Sequence, residues 1–237
     1  MHEFFGNGTT DQSSTVESLL AGSTNCARAT DKSAYWVPRI TWGGQEVLPE
    51  RTGAYYGTRT GLRPAGTTTT PVGFKVIAYS HATTARADGE PLARRARARI
   101  DWHCNKIRSV DESMRVGGPI PPTSCDIKTL GVTVTFPECW DGEDWNVRGG
   151  ANMRHSLIVG GHRRCPSGFP YYIPRLQMLV DYNLPTVDGP LKVLGHNGEV
   201  HDPSFFHADY LNAEDQKDLI RVCIRGGRFY TADICKQ

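Results

Sequence analysis

Apolar positions in this chain gather in short runs, broken repeatedly by turn-forming residues. Runs over residues 34–37, 73–79, 96–102, 131–136, 156–159 and 175–182 predict strands. The third alternates small with charged residues, as a strand with one wet face does. Gly, Pro, Asn or Asp bounds most of these runs, which keeps the elements short. Helical signals are few. Residues 15–20 predict one short helix, closed by Gly22 as its C-cap. Residues 212–223 predict a second, opened by the acidic pair Glu214 and Asp215. Residues 43–71 are polar and read as a long surface excursion. Residues 108–124, with Gly117-Gly118-Pro119 and Pro121-Pro122, read as a loop. The expected fold is a single all-β dominated domain over residues 1–237. It is a β-sandwich or jelly roll with long loops and one or two short helices.

Composition narrows the function classes. A chain of 237 residues can bury a substantial core. Its 38% hydrophobic and 22% charged residues exclude wholesale disorder and a coiled coil. A net charge of +2 gives no support to a nucleic-acid partner. No apolar run reaches the roughly 18 residues that a membrane span needs. The first residues, Met1 to Asn7, lack the basic start and apolar core of a signal peptide.

The seven cysteines, at 26, 104, 125, 139, 165, 223 and 235, argue for an oxidising compartment. None forms a C-x-x-C pair, which disfavours a zinc ribbon or a thioredoxin-type site. Closing local loops gives Cys104–Cys125, Cys139–Cys165 and Cys223–Cys235. Each contributes roughly 3 kcal/mol in the chain-entropy model. Cys26 is then left over. Buried free thiols are the alternative.

Candidate chemistry is sparse. No G-x-S-x-G elbow, P-loop, H-E-x-x-H or G-x-G-x-x-G occurs. Arg95, Arg97 and Arg99 would share one strand face beside Arg94. They could hold anionic groups or simply protect an exposed strand. His207 and Asp209 stand two apart, so a strand puts both on one face. Such a pair can bind a metal or act as base and orienter, or merely hold a loop. Trp140 beside Asp141 suits a sugar ring and its hydroxyls. The other reading is a Trp packed on a disulfide with Asp141-Gly142 as a turn. Tyr35 and Trp36 either line a cleft or enter a core strand.

Several phrases occur together: residues 2–7 (His-Glu-Phe-Phe-Gly-Asn), residues 31–38, residues 136–142 (Phe-Pro-Glu-Cys-Trp-Asp-Gly), Cys165-Pro166 and residues 207–212 (His-Ala-Asp-Tyr-Leu-Asn). In this combination and order the chain resembles the DUF1996 family of secreted fungal and actinobacterial proteins. The resemblance implies an extracellular location. It also implies an upstream segment bearing a cysteine, the expected partner of Cys26, and a His-x-His pair of which His2 is the second member. His155 matches a histidine that follows the family's Cys-Trp-Asp-Gly phrase. Two departures stand out. Ala151-Asn152 replaces an Asp-His, and Ala213-Glu214-Asp215 replaces a Trp-Asp.

Carried over by this resemblance, the candidate catalytic residues are His155, His207 and Asp209. The candidate substrate contacts are Tyr35, Trp36, Trp140, Asp141 and Asn212. His2, His155 and His207 are the candidate ligands of a single divalent metal ion, with metal-free acid–base chemistry equally open. The expected function is a carbohydrate-active enzyme, a hydrolase or lyase acting on a cell-wall or biomass polysaccharide. The alternative is a non-catalytic glycan-binding or wall-associated protein.

Overall fold

A computed structural model describes residues 1–57, 68–79, 99–104, 120–143, 145, 152–160, 162–217 and 230–235. Residues 79, 99, 158, 162 and 230–235 are described by their backbone alone. Two antiparallel sheets carry the architecture. In sheet I the strands run in the order His2–Gly6, Ala34–Pro38, His207–Leu211, Lys75–Tyr79. In sheet II the order is Tyr230–Cys235, Pro49–Gly57, Arg175–Asn183, Thr129–Thr135, Arg99–His103.

Alternation along each strand sends every second side chain into the space between the sheets. Phe5, Tyr35, Val37, Ala208 and Tyr210 point inward from sheet I. Tyr56, Met178, Val180, Val132 and Ile100 meet them from sheet II. The rings of Tyr35 and Tyr210 stack at 5.2 Å, and the Tyr35 and Tyr56 hydroxyls bridge the sheets at 2.7 Å. Trp102 of sheet II packs edge-on against Phe206, just before the His207 strand. This is the expected β-sandwich.

Smaller sheets surround it. One joins Ile40–Trp42, Gln45–Val47, Leu191–Leu194 and Val200–His201. Another joins Cys139–Trp140, Met153–Arg154 and Tyr171–Tyr172, and a two-stranded hairpin pairs Leu157–Val159 with His162–Arg164.

The helix Val16–Ala21 starts from a reciprocal cap. Thr15 Oγ1 accepts from the Ser18 amide, and Ser18 Oγ accepts from the Thr15 amide. Gly22 does end it, in extended rather than left-handed geometry. Its glycine is needed for space, because a Cβ there would meet Asn7 and Thr9 side chains within 2.8 Å. Leu19 packs with Ala34, Leu211 and Ala213, and Val16 and Trp36 lie against this cluster. The helix therefore covers one end of the outer face of sheet I and leaves the other end uncovered by it.

Two disulfides form as expected, Cys104–Cys125 and Cys139–Cys165, with Cα atoms 5.2 and 5.5 Å apart. Cys26 is also disulfide-bonded in this chain. That corrects the expectation of an upstream partner. The Cys223–Cys235 pairing lies outside the described residues.

Other expectations change as well. The excursion over residues 43–71 contains the nine-residue strand Pro49–Gly57, an interior strand of sheet II. Glycines and an initial proline disguise it, while Thr52, Ala54 and Tyr56 supply its buried face. Asn212 to Gln216 are irregular, Lys217 is helical, and residues 218–229 lie outside the described residues. The same holds for Arg94, Arg95 and Arg97, and for most of residues 108–124.

Candidate active site on the outer face of sheet I

His2 pairs across the sheet with Pro38, and Asp209 with Trp36. His207 continues that register beside Pro38, and its other neighbour is Tyr79. The outward-facing residues thus form two adjacent rows. One row holds His2, Pro38 and His207. The next holds Phe4, Trp36 and Asp209, because positions two apart on a strand share a face.

The polar members converge. His2 Nε2 lies 3.0 Å from His207 Nε2, and His207 Nε2 lies 3.5 Å from Asp209 Oδ2. One ligand atom from each residue falls within 4.8 Å of the others. Among the described residues, this is the group of three or more His, Cys, Asp or Glu side chains placed to share a metal ion.

A backbone contact fixes the chemistry of His207. Its Nδ1 lies 2.9 Å from the Phe205 carbonyl, at the end of the Pro203–Phe205 turn. A carbonyl only accepts, so Nδ1 carries the proton and Nε2 presents a lone pair. Burial pushes the His2 imidazole down to about 4, and the neighbouring His207 adds to that. Burial also lowers His207, opposed in part by the Phe205 hydrogen bond. Both rings are neutral near pH 7. Asp209 is the counterpart. Its Oδ2 is buried and accepts no hydrogen bond, and burial raises its carboxyl to about 8.

The aromatic members of the second row flank these groups. The Phe4 and Trp36 rings lie 5.8 Å apart and tilted by 39°, both half-buried. The His2 ring is 6.4 Å from Phe4.

His155 belongs elsewhere, which corrects its place in the expected ligand set. Its ring nitrogens are not in the cluster of three. His155 Nδ1 meets Glu138 Oε2 at 3.1 Å. The buried Glu138 carboxylate also accepts from Ser156 Oγ at 2.5 Å and lies 3.5 Å from Arg163. Burial alone would raise Glu138. The His155 and Ser156 hydrogen bonds and the charge of Arg175 outweigh it and hold the carboxyl below its ordinary range.

The expected substrate contacts divide. Trp36 stands at the site. Tyr35 does not, because strand alternation turns it into the core, where its hydroxyl donates to Asp31 at 2.8 Å. Trp140 is 8% exposed and packs between Phe74 and Tyr171. Asp141 accepts from the Glu143 amide in the tight turn at Gly142, whose φ is +91°. Asn212 is fully buried and bonds to backbone. Sequence reading missed Phe4, Glu138 and the Phe205 carbonyl. Phe4 was legible in principle, two residues from His2 on a strand. The Phe205 carbonyl has no sequence signal.

The fold and this cluster define a disulfide-stapled β-sandwich with a two-histidine, one-carboxylate centre on one outer face. The chain belongs to the family described as Domain of unknown function (DUF1996), which matches residues 1–213 of 237. No curated protein and no solved structure matches it. Among the described residues no helix is long and apolar enough to cross a membrane.

Proposed function

We propose that this is a secreted carbohydrate-active enzyme, a hydrolase or lyase of a cell-wall or biomass polysaccharide, with its centre at His2, His207 and Asp209. The observation that carries the reading is the convergence of three polar side chains beside the Phe4–Trp36 pair. Aromatic faces hold sugar rings by apolar contact, and adjacent lone pairs engage the hydroxyls and the scissile linkage. The disulfides support export.

A panel of neutral and uronate polysaccharides tests this. Hydrolysis releases reducing ends, and elimination produces an ultraviolet-absorbing unsaturated sugar. Activity should appear on at least one substrate and fall at least about 100-fold in His207→Ala. Trp36→Ala should raise KM more than it lowers kcat. Glycan binding that survives in both His207→Ala and Asp209→Asn, without turnover in the wild type, would identify a non-catalytic binder instead.

A further inference from the structure

We infer that His2 Nε2, His207 Nε2 and Asp209 Oδ2 bind one divalent transition ion of the zinc class, and that His155 is not among its ligands. This deepens the proposed function at the same site, although metal binding and polysaccharide turnover can fail separately.

Two of the three donor separations match a shared ion. Two donors each about 2.1 Å from one ion, at angles between a right angle and the tetrahedral value, stand roughly 3.0–3.4 Å apart. The observed separations are 3.0 Å between the two nitrogens and 3.5 Å from His207 Nε2 to the carboxylate oxygen, while His2 and Asp209 stand further apart, within 4.8 Å. The lone pair of His207 points the same way. The Phe205 carbonyl holds the His207 proton on Nδ1, which leaves Nε2 aimed into the cluster as an acceptor.

A metal-free cluster leaves one buried atom unsatisfied. His2 Nε2–H can donate to His207 Nε2, which accounts for the 3.0 Å contact. That bond offers nothing to Asp209, whose buried Oδ2 accepts no hydrogen bond. A buried carboxyl oxygen with no hydrogen-bond partner is costly in either protonation state. A cation satisfies all three atoms together.

The donor set selects the class of ion. Two imidazoles and one carboxylate suit zinc and its first-row neighbours. Calcium and magnesium prefer all-oxygen shells. Three protein ligands also leave a position for a water or a substrate oxygen, as catalytic sites require.

The test uses the untagged full chain, dialysed against a chelator and titrated with Co2+ and then Zn2+. Visible ligand-field absorption and calorimetry read the binding. One equivalent should bind to the wild type. His2→Ala, His207→Ala and Asp209→Ala should each weaken Zn2+ by more than about 100-fold, the upper range for outer-shell changes alone. His155→Ala should stay within about threefold of wild type. Circular dichroism of each variant checks the fold, and His207→Gln serves if His207→Ala unfolds. Absence of binding to the wild type overturns the inference. So does wild-type affinity in folded His207→Ala or His207→Gln, or loss of binding in His155→Ala. One equivalent of bound metal with no turnover on any polysaccharide keeps the inference and removes the enzyme reading.

Discussion

Asn212 opens the irregular stretch that follows the His207–Leu211 strand. Its Nδ2 donates to the carbonyls of Thr70, Pro71 and Glu214 at 3.0–3.1 Å. Its Oδ1 accepts from the Tyr210 hydroxyl at 2.8 Å and from the Glu214 amide at 3.1 Å. Asn212→Ala strands several buried backbone groups and should cost about 3 kcal/mol in urea unfolding. A loss under about 1 kcal/mol would show that water replaces the amide. Glu138 gives a pH-dependent counterpart. Its native carboxyl titrates below the ordinary value, so the unfolded chain binds more protons and stability falls with acid. The stabilisation is complete above about pH 4.5 and disappears as pH drops through the lower native value. Glu138→Gln should therefore destabilise most near pH 7, by about 3 kcal/mol. The gap to wild type should narrow below about pH 4. A gap independent of pH would mean that the carboxylate charge contributes little.

The helix Val16–Ala21 and the outer face of sheet I form one packing unit, because Leu19 sits fully buried among Ala34, Leu211 and Ala213 with Trp36 alongside. Leu19→Ala should cost about 3 kcal/mol and weaken the near-ultraviolet circular dichroism of Trp36. An unchanged aromatic spectrum would separate the helix from the site. Legibility in the sequence varied at this scale for physical reasons. The runs at residues 34–37, 131–136 and 175–182 became the strands Ala34–Pro38, Thr129–Thr135 and Arg175–Asn183, because uninterrupted apolar alternation dominates a two-sided core. Pro49–Gly57 was hidden by Pro49, Gly53 and Gly57 and is held by pairing on both sides. At the site, the His207–Asp209 spacing fixed a shared face in advance. The approach of His2 to His207 spans 205 residues of sequence and depends on register across an intervening strand.

At the scale of the whole molecule, covalent links and long-range pairing hold together many short elements. Cys139–Cys165 anchors the three-stranded sheet, in which Cys139 pairs with Arg154 and Tyr172. Replacing both its cysteines by Ala should cost about 3 kcal/mol and leave Cys104–Cys125 intact. Non-reducing peptide mapping should find the Cys26 peptide cross-linked within this chain. A free Cys26 thiol would restore the idea of an upstream partner. We place function on the outer face of sheet I, where the helix screens one end and the three converging polar side chains occupy the other. Zinc-edge X-ray absorption of the loaded, untagged protein tests that claim most directly. The expected shell holds two imidazole nitrogens and carboxylate or water oxygen at about 2.0–2.1 Å, with imidazole outer-shell scattering that is lost in His207→Ala. Sulfur in the shell, a spectrum without imidazole, or one unaltered by His207→Ala would contradict it.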